Sequence, residues 1–529
     1  MKFRKILCIL TFLILLTGCG PIFSSYSSSS TSSVSTTSSS LSSTSSSVNN
    51  KTLTIYAIND FHGAVKEANI VRLGSYLKEK KQSEDALLIN SGDYWQGSIE
   101  SNHNRGKLLT DVSNYVQFDC LTLGNHEFDW GQKYIRENRL RKDEESFYQT
   151  PFLAANIYRY DLATKTIGEY ADLGEKYVIR ELNNGLKVGI IGVIGSNLTA
   201  SITSTHVDDL IFVDPVNTIK ELSDELRVQK SCDVVIASCH CDEDDISEEL
   251  TLKSSVSNRR YVDAVFCGHS HQDEYKVVND VPYIQTNGYG SSISYIKLEE
   301  KSDNSFQTIN CYNIVPEDLI VNEDVKLKTL VKNYTDVSDS LASEVLCTFS
   351  GGFHYLEQLP NLVCTALAYY AVKNDISVDY TMVNRSRCSL ANRSITYGDL
   401  YRALPFDNEV QIVEVLGQDL LNCARSNNIY RFNPEAINKS QVYKIAVIDY
   451  LSTHRNSNRE YDNFPNLKII GSFTKEGEDL YNYRDITADF LRNFREETLD
   501  SSSFNSDSDY YNVNNLEKSV VLPSNPYLS

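Results

Sequence analysis

Short apolar runs rich in β-branched residues recur through the first half of the chain, each ending in glycine or polar punctuation. Leu53-Thr-Ile-Tyr-Ala-Ile58, Ala86-Leu-Leu-Ile-Asn90, Cys120-Leu-Thr-Leu123, Asp233-Val-Val-Ile-Ala-Ser238 and Asp263-Ala-Val-Phe-Cys267 have the length and composition of buried strands. Ser291 to Leu298 and a run near Tyr312 close this half. Glu317 to Val345 is charged and helix-like, with Leu327, Leu330, Val331 and Tyr334 spaced for one face. From Leu346 a second unit begins, with a helix-like Leu362 to Lys373, a strand Tyr380-Thr-Met-Val383 and a mixed segment from Ile395 to Asn408. The pattern predicts an α/β protein of two units joined by a helix.

The residues just past each of the five strands change the picture. The first runs into Asn59-Asp60-Phe61-His62-Gly63, the second into Ser91-Gly92-Asp93, and the third into Gly124-Asn125-His126-Glu127-Phe128-Asp129. The fourth leads to His240 and the fifth to Gly268-His269-Ser270-His271. In open α/β sheets ligands gather beyond the carboxyl ends of the strands, so five strand ends carrying metal-competent side chains would build one shared site. Imidazole, carboxylate and amide without thiolate suit Mn, Zn, Co or Fe better than Cu(I) or a sulfur cluster. Two such ions side by side are a device for attacking phosphorus. His240 has a blander reading, since Cys239-His240-Cys241 also fits a packed strand end. His103, His206, His354 and His454 lack such a setting and read as surface or core histidines.

These blocks resemble the calcineurin-like metallophosphoesterases, and more narrowly the bacterial 5'-nucleotidase / 2',3'-cyclic nucleotide phosphodiesterase family. The resemblance runs from about Thr52 to Asn493. It implies a metallophosphoesterase β-sandwich flanked by helices over residues 51–315, a connector helix over 316–345, a C-terminal α/β nucleotidase domain over 346–510 and a tail over 511–529. It further implies that Asp60, His62 and His271 hold one metal ion, that Asn125, His240 and His269 hold a second, and that Asp93 bridges them. His126, oriented by Asp129, would be the catalytic pair that steadies charge on the transferring phosphoryl group without binding metal.

In the second half, Pro405-Phe406-Asp407-Asn408 resembles the family's Pro-Phe-x-Asn, which sets an aromatic face against a nucleobase. Phe406 and Asn408 are the counterparts, and Tyr450 matches the second stacking ring. Two departures stand out. The family's Asn-Gly-Gly-x-x-Arg-like loop is replaced by Asn384-Arg385-Ser386-Arg387-Cys388-Ser389, which leaves phosphate or ribose contacts to Asn384, Arg385 or Arg387. The Gly-Gly-Asp after the second ring is replaced by Thr453-His454-Arg455-Asn456.

The N-terminus adds a location. Lys2, Arg4 and Lys5 precede an apolar stretch from Ile6 to Leu16 that is short for a membrane span. Leu16-Thr17-Gly18-Cys19 then resembles a bacterial lipobox, so residues 1–18 read as a lipoprotein signal and Cys19 as the lipidated first residue. An ordinary cleaved signal peptide is the alternative. Residues 19–50 are dominated by serine and threonine and have too few apolar groups to offset the entropy of ordering, which describes a solvated tether.

The net charge of −20 argues against nucleic-acid polymers and anionic membrane faces as partners, leaving small nucleotides and a membrane reached only through the lipid. Of 12 cysteines, Cys8 and Cys19 belong to the leader, and the rest show no disulfide framework. The expectation is a surface lipoprotein with 5'-nucleotidase activity on extracellular nucleotides and two divalent ions. The alternatives are a 2',3'-cyclic nucleotide phosphodiesterase or nucleotide-sugar hydrolase and, outside enzymes, a binding or adhesion lipoprotein. Oligomeric state is left open.

Overall fold

Alternation along the first strand sets the layers. In Thr52–Ile58, Leu53, Ile55 and Ala57 enter one core with Leu87, Ile89, Val188, Ile190, Val234, Ile236 and Phe266. Tyr56 and Ile58 enter another, with Leu73, Leu77, Leu109 and Val112 from the helices behind. A strand buried on both faces has no polar side to alternate with, which accounts for the unbroken apolar runs. The computed structural model describes residues 50–242, 246–315, 319–456, 459–477 and 481–528. The leader, Cys19 and the serine/threonine stretch up to position 49 lie outside the described residues.

Two six-stranded sheets face each other across the first of those cores. One runs in the order Phe306–Ile314, Ile293–Glu300, Thr52–Ile58, Leu87–Asn90, Cys120–Thr122, Phe152–Leu153. The other runs Glu274–Val278, Val281–Gln285, Ala264–Phe266, Val234–His240, Lys187–Ile194, Tyr177–Glu181. Thr52–Ile58, Leu87–Asn90 and Cys120–Thr122 are mutually parallel, as are Lys187–Ile194, Val234–His240 and Ala264–Phe266. Within each sheet the carboxyl ends of these strands therefore share one edge. The second sheet is covered outside by the helix Pro215–Asp224, which contributes Ile219 and Leu222 to a third core. This half is a helix-flanked β-sandwich in a mixed α/β fold.

The connector helix is shorter than the charged stretch around it, spanning Val325–Ala342. Asp324 starts it by accepting the N–H groups of Lys326 and Leu327. Leu327 and Val331 are buried against the first half, on the face the spacing predicts. Beyond it a five-stranded sheet runs Asn428–Arg431, Tyr380–Val383, Val442–Ile448, Val410–Leu416, Lys468–Ser472. The helix Gln358–Lys373 packs on it through Leu362, Val363, Ala366 and Leu367. The stretch from 511 onward, read as a tail, contributes Tyr511 and Leu516 to this core. Buried Arg431 holds it there by donating to the carbonyls of Asn515 and Lys518. The ten cysteines among the described residues are all free, and no described helix is long and apolar enough to cross a membrane.

Candidate metal centre

Where the strands end, the backbone bends sharply. Asp60, His62, Asp93, His269 and His271 all adopt positive φ, between 48° and 80°. Non-glycine residues rarely do so, and such strain gathers where the surrounding structure has a site to build. Glycine is required where these turns crowd together. A Cβ on Gly92, itself at φ 94°, would lie 2.6 Å from Nδ1 of His240, and one on Gly124 would lie 2.3 Å from Oδ1 of Asp93.

The turns bring the seven candidate ligands into one cluster. Oδ2 of Asp93 lies 3.3 Å from Nε2 of His240 and 3.7 Å from Nε2 of His62. On one side, Nε2 of His62 and Nε2 of His271 are 3.1 Å apart, and Nε2 of His271 is 3.6 Å from Oδ1 of Asp60. On the other, Oδ1 of Asn125 is 3.1 Å from both Nε2 of His240 and Nδ1 of His269. Asp60, His62 and His271 make one group with ligand atoms within 4.8 Å of one another, Asp93, His240 and His269 make another, and His62, Asp93 and His126 make a group between them.

The donor set fits divalent cations. His62 donates its Nδ1–H to the carbonyl of Gln96 at 3.0 Å, and His240 donates its Nδ1–H to the carbonyl of Ser91 at 2.8 Å. A carbonyl only accepts, so in each neutral ring the lone pair sits on Nε2. Those lone pairs point at carboxylate, amide and imidazole acceptors, an arrangement that calls for positive charge between them. The same demand appears at His240. Burial disfavours a charged ring there, but Asp93 and Asp60 outweigh it and push the group up to about 10.

Glu127 belongs to the third sequence block, yet nothing in the sequence gives it a role. Its buried Oε2 accepts the N–H of Asp93 at 2.9 Å and of Gly124 at 2.7 Å. Its Oε1 accepts the N–H of Tyr94 at 2.8 Å. One carboxylate thus ties the loop carrying Asp93 to the loop carrying Asn125. Burial and the neighbouring charge of Asp93 push it up to about 7. Gln96 escapes sequence reasoning as well, since its backbone carbonyl, the group that orients His62, has no signature in sequence.

His126 stands beside the cluster. Its Nδ1 is 2.8 Å from Oδ2 of Asp129, and its Nε2 is 4.0 Å from Oδ2 of Asp93. Burial works against protonation of the ring, but Asp129 and Asp93 prevail and raise it to about 9. A ring held by a carboxylate, with its far nitrogen aimed into a polar cluster, can deliver or hold a proton there.

Comparison with known proteins gives the family. Residues 53–273 match the family described as calcineurin-like phosphoesterase, and residues 354–425 match the 5'-nucleotidase C-terminal domain. The chain is a calcineurin-like phosphoesterase with a 5'-nucleotidase C-terminal domain. It is 22% identical over 422 residues to the endonuclease YhcR of Bacillus subtilis, covering 72% of this chain but only 33% of that protein. It is 24% identical over 457 residues to the 5'-nucleotidase of Homo sapiens, covering 76% of each. In fold it is similar to the crystal structure of a 5'-nucleotidase precursor from Thermus thermophilus, with a TM-score of 0.62, 16% identity and coverage of 85% and 99% of the two chains. The calcineurin-like phosphoesterase region contains every candidate metal ligand together with His126 and Asp129.

From the 5'-nucleotidase C-terminal domain, Phe406 reaches back to this cluster. Its ring stacks on that of His126, with centroids 5.9 Å apart and planes at 24°. The loop that carries it is fixed from both sides. The carbonyl of Pro405 accepts from Asn102 at 2.9 Å and from the side chain of Gln96 at 3.3 Å. Asp407 is held by Arg484 at 2.5 Å and by Arg105 of the phosphoesterase half. Arg387 donates to the hydroxyl of Tyr289, whose ring lies 5.3 Å from His62 and 5.2 Å from His271. Tyr289, unremarked in the sequence, is thus the phosphoesterase-side partner of the displaced arginine.

The other substrate-side residues are less engaged. Tyr450 is half-buried and close enough to Asp129 and Arg385 to feel both charges. Arg385 is exposed, and Asn384 precedes it on the loop after Tyr380–Val383. Asn408 uses its backbone carbonyl, which accepts the N–H of Tyr483 at 3.0 Å. His206, read as structural, packs near Asp129 and lines a cavity of about 960 Å³ shared by the two halves.

Proposed function

We propose that this protein is a metal-dependent 5'-nucleotidase that hydrolyses phosphate monoesters of extracellular nucleotides. The observation that carries the reading is the placing of Asp93, within 3.7 Å of His62 on one side and 3.3 Å of His240 on the other, with His126 at the same carboxylate but tied by its far nitrogen to Asp129. Asp60, His62 and His271 would hold one divalent ion, and Asn125, His240 and His269 the other, with Asp93 between. When bound, such ions supply Lewis-acid activation of water and neutralise charge on the phosphoryl group. A set of imidazole, carboxylate and amide donors suits Mn, Zn, Co or Fe.

The chain's own residues then divide the remaining work. His126, oriented by Asp129, faces the phosphoryl oxygens and holds a proton at Nε2 as charge develops or the leaving oxygen departs. Glu127 and the Gln96 carbonyl keep the ligand loops and His62 in place without touching substrate. Phe406 and Tyr450 offer their faces to a nucleobase, an interaction tolerant of base identity. Arg387, which is next to Tyr289 and faces His62 and His126, is the favoured contact for phosphate. Asn384, Arg385 and Asn408 would serve the sugar side.

Residues 51–315 would form the phosphoesterase domain, 316–345 the connector and 346–510 the nucleotide-binding domain. A lipid on Cys19 and the tether after it would hold the enzyme outside the cytoplasm at the membrane. The test is phosphate release by the purified protein with Mn²⁺, across nucleoside monophosphates, 2',3'-cyclic nucleotides, nucleotide sugars and a small aryl phosphate. Preference for 5'-monophosphates supports the proposal. Preference for diesters, or no turnover of any ester, defeats it.

A further inference from the structure

Beyond the connector helix, hydrogen bonds among the described residues join the two halves in at least three places. Near the candidate metal centre, Arg387 donates to Tyr289. In the middle, Pro405 and Asp407 are held by Gln96, Asn102 and Arg105. At the third, Arg455 forks onto Asp208, Nε to Oδ1 at 2.8 Å and Nη2 to Oδ2 at 2.9 Å. This last contact comes from the Thr453–Asn456 segment, where the chain departs from the glycine-rich pattern it otherwise resembles.

The segment is built to present that arginine. Arg455 and Tyr461 pair as an antiparallel bridge, and the guanidinium lies 4.1 Å from the Tyr461 ring centroid. The N–H of Asp462 donates to the carbonyl of His454 at 3.0 Å, and Nη1 of Arg455 donates to the carbonyl of Arg459 at 3.1 Å. Arg459 in turn lies 4.6 Å from the ring centroid of Tyr160 in the phosphoesterase half. A two-point fork fixes direction as well as distance, which a single lysine contact would not. The two side chains are 18% and 28% exposed, so solvent screens the pair only in part.

What the fork grips matters more. Asp209, next to Asp208, takes hydrogen bonds from Gln132 at 2.7 Å and Arg159 at 2.5 Å. Gln132 begins the helix Gln132–Arg139, which comes directly after Asp129-Trp130-Gly131. On the other side, Arg455 lies just after the short helix Asp449–Ser452, which carries Tyr450. The fork therefore joins the backbone that carries Asp129 to the backbone that carries Tyr450. The connector helix packs on the helices Ile70–Glu84, Ile99–Asn102 and Lys107–Val116 of the first half and on Tyr397–Ala403 of the second, which leads to Phe406, so it supports Phe406 and leaves the segment of Tyr450 to the fork.

We propose that Arg455 is a positioning residue, which fastens the C-terminal half to the phosphoesterase half through Asp208 and so sets Tyr450 beside the His126–Asp129 pair, opposite the Phe406 ring that the Pro405 and Asp407 contacts hold. The proposal rests on reading those two rings as the nucleobase platform. It also gives the altered segment a purpose, since the chain has a charged clasp where the pattern it resembles has Gly-Gly-Asp.

A charge swap tests it, with Arg455→Asp, Asp208→Arg and the double variant measured beside wild type. Each single variant should raise KM for a nucleoside monophosphate by roughly threefold or more while kcat for a small aryl phosphate stays within about twofold, and the double variant should recover. Small-angle scattering, which needs no substrate, should show each single variant expanded and the double variant compact. Singles with wild-type KM or wild-type dimensions overturn the proposal, as does a double variant no better than the singles. Equal losses on both substrates overturn it too, since that is the mark of a merely damaged fold. A wild-type protein that turns over the aryl phosphate but no nucleotide defeats the nucleotidase reading instead, and scattering then decides whether the clasp exists.

Discussion

Nδ1 of His126 lies 2.8 Å from Oδ2 of Asp129, while the opposite nitrogen of the same ring is 4.0 Å from Oδ2 of Asp93. The ring is tied down on the side away from the candidate metal ligands and open toward them. In the proposed mechanism it serves the chemistry and binds no metal. His126→Ala should therefore keep its metal content, read by elemental analysis, and lose activity by about 10²–10⁴-fold, the usual worth of a positioned acid or base. Metal loss in that variant would make His126 a ligand, and an unchanged rate would remove it from the mechanism.

Phe406 stacks on His126 from the other half of the molecule. If the ring serves as a base platform, Phe406→Ala should raise KM for nucleoside monophosphates by about 5–150-fold, the equivalent of one lost stack of ~1–3 kcal/mol. A small aryl phosphate that never reaches the platform should be hydrolysed almost as before. Steady-state kinetics on both substrates decides the matter. Parallel losses would mean that Phe406 only packs.

Asp449 provides a test of stability away from the metal ligands. It is 7% exposed, and burial together with the charge of Glu409 pushes its carboxyl up to about 7 from an ordinary 3.8. A carboxyl with a raised folded-state value stabilises the fold fully below the unfolded value, and that contribution is lost as pH rises through the folded one. The loss should fall between pH 3.8 and about 7 and be on the order of 4 kcal/mol. Asn would keep the oxygen that accepts the Tyr450 N–H at 2.8 Å. Asp449→Asn should thus melt above wild type at pH 8 and level with it near pH 4. Wild-type melting at both pH values would show that the carboxyl is not held in its neutral form.

Much of the site could be read from the chain because its parts are local. Asp60, His62, Asp93, Asn125, His240, His269 and His271 each lie within a few residues of a strand end, and apolar runs mark strand ends. Glu127 was visible as a letter but not as a function, because its partners are backbone N–H groups on two separate loops. The connector helix was readable on its buried face through Leu327 and Val331, while its start depended on the Asp324 cap. Contacts between the halves were out of reach. His126 meets Phe406, Arg105 meets Asp407 and Asp208 meets Arg455 across long stretches of sequence, and no periodicity encodes such pairings. Tyr289 is one of 33 tyrosines, and nothing in its sequence setting sets it apart.

If the ligand groups on either side of Asp93 each take a divalent ion, phosphate release needs both. The most direct test is to strip the purified protein with a chelator, titrate Mn²⁺ back, and follow bound metal and nucleoside monophosphate hydrolysis together. Hydrolysis should be negligible in the stripped protein and rise mainly as the second equivalent binds. Full activity in the stripped protein, or with a single bound ion, would contradict it.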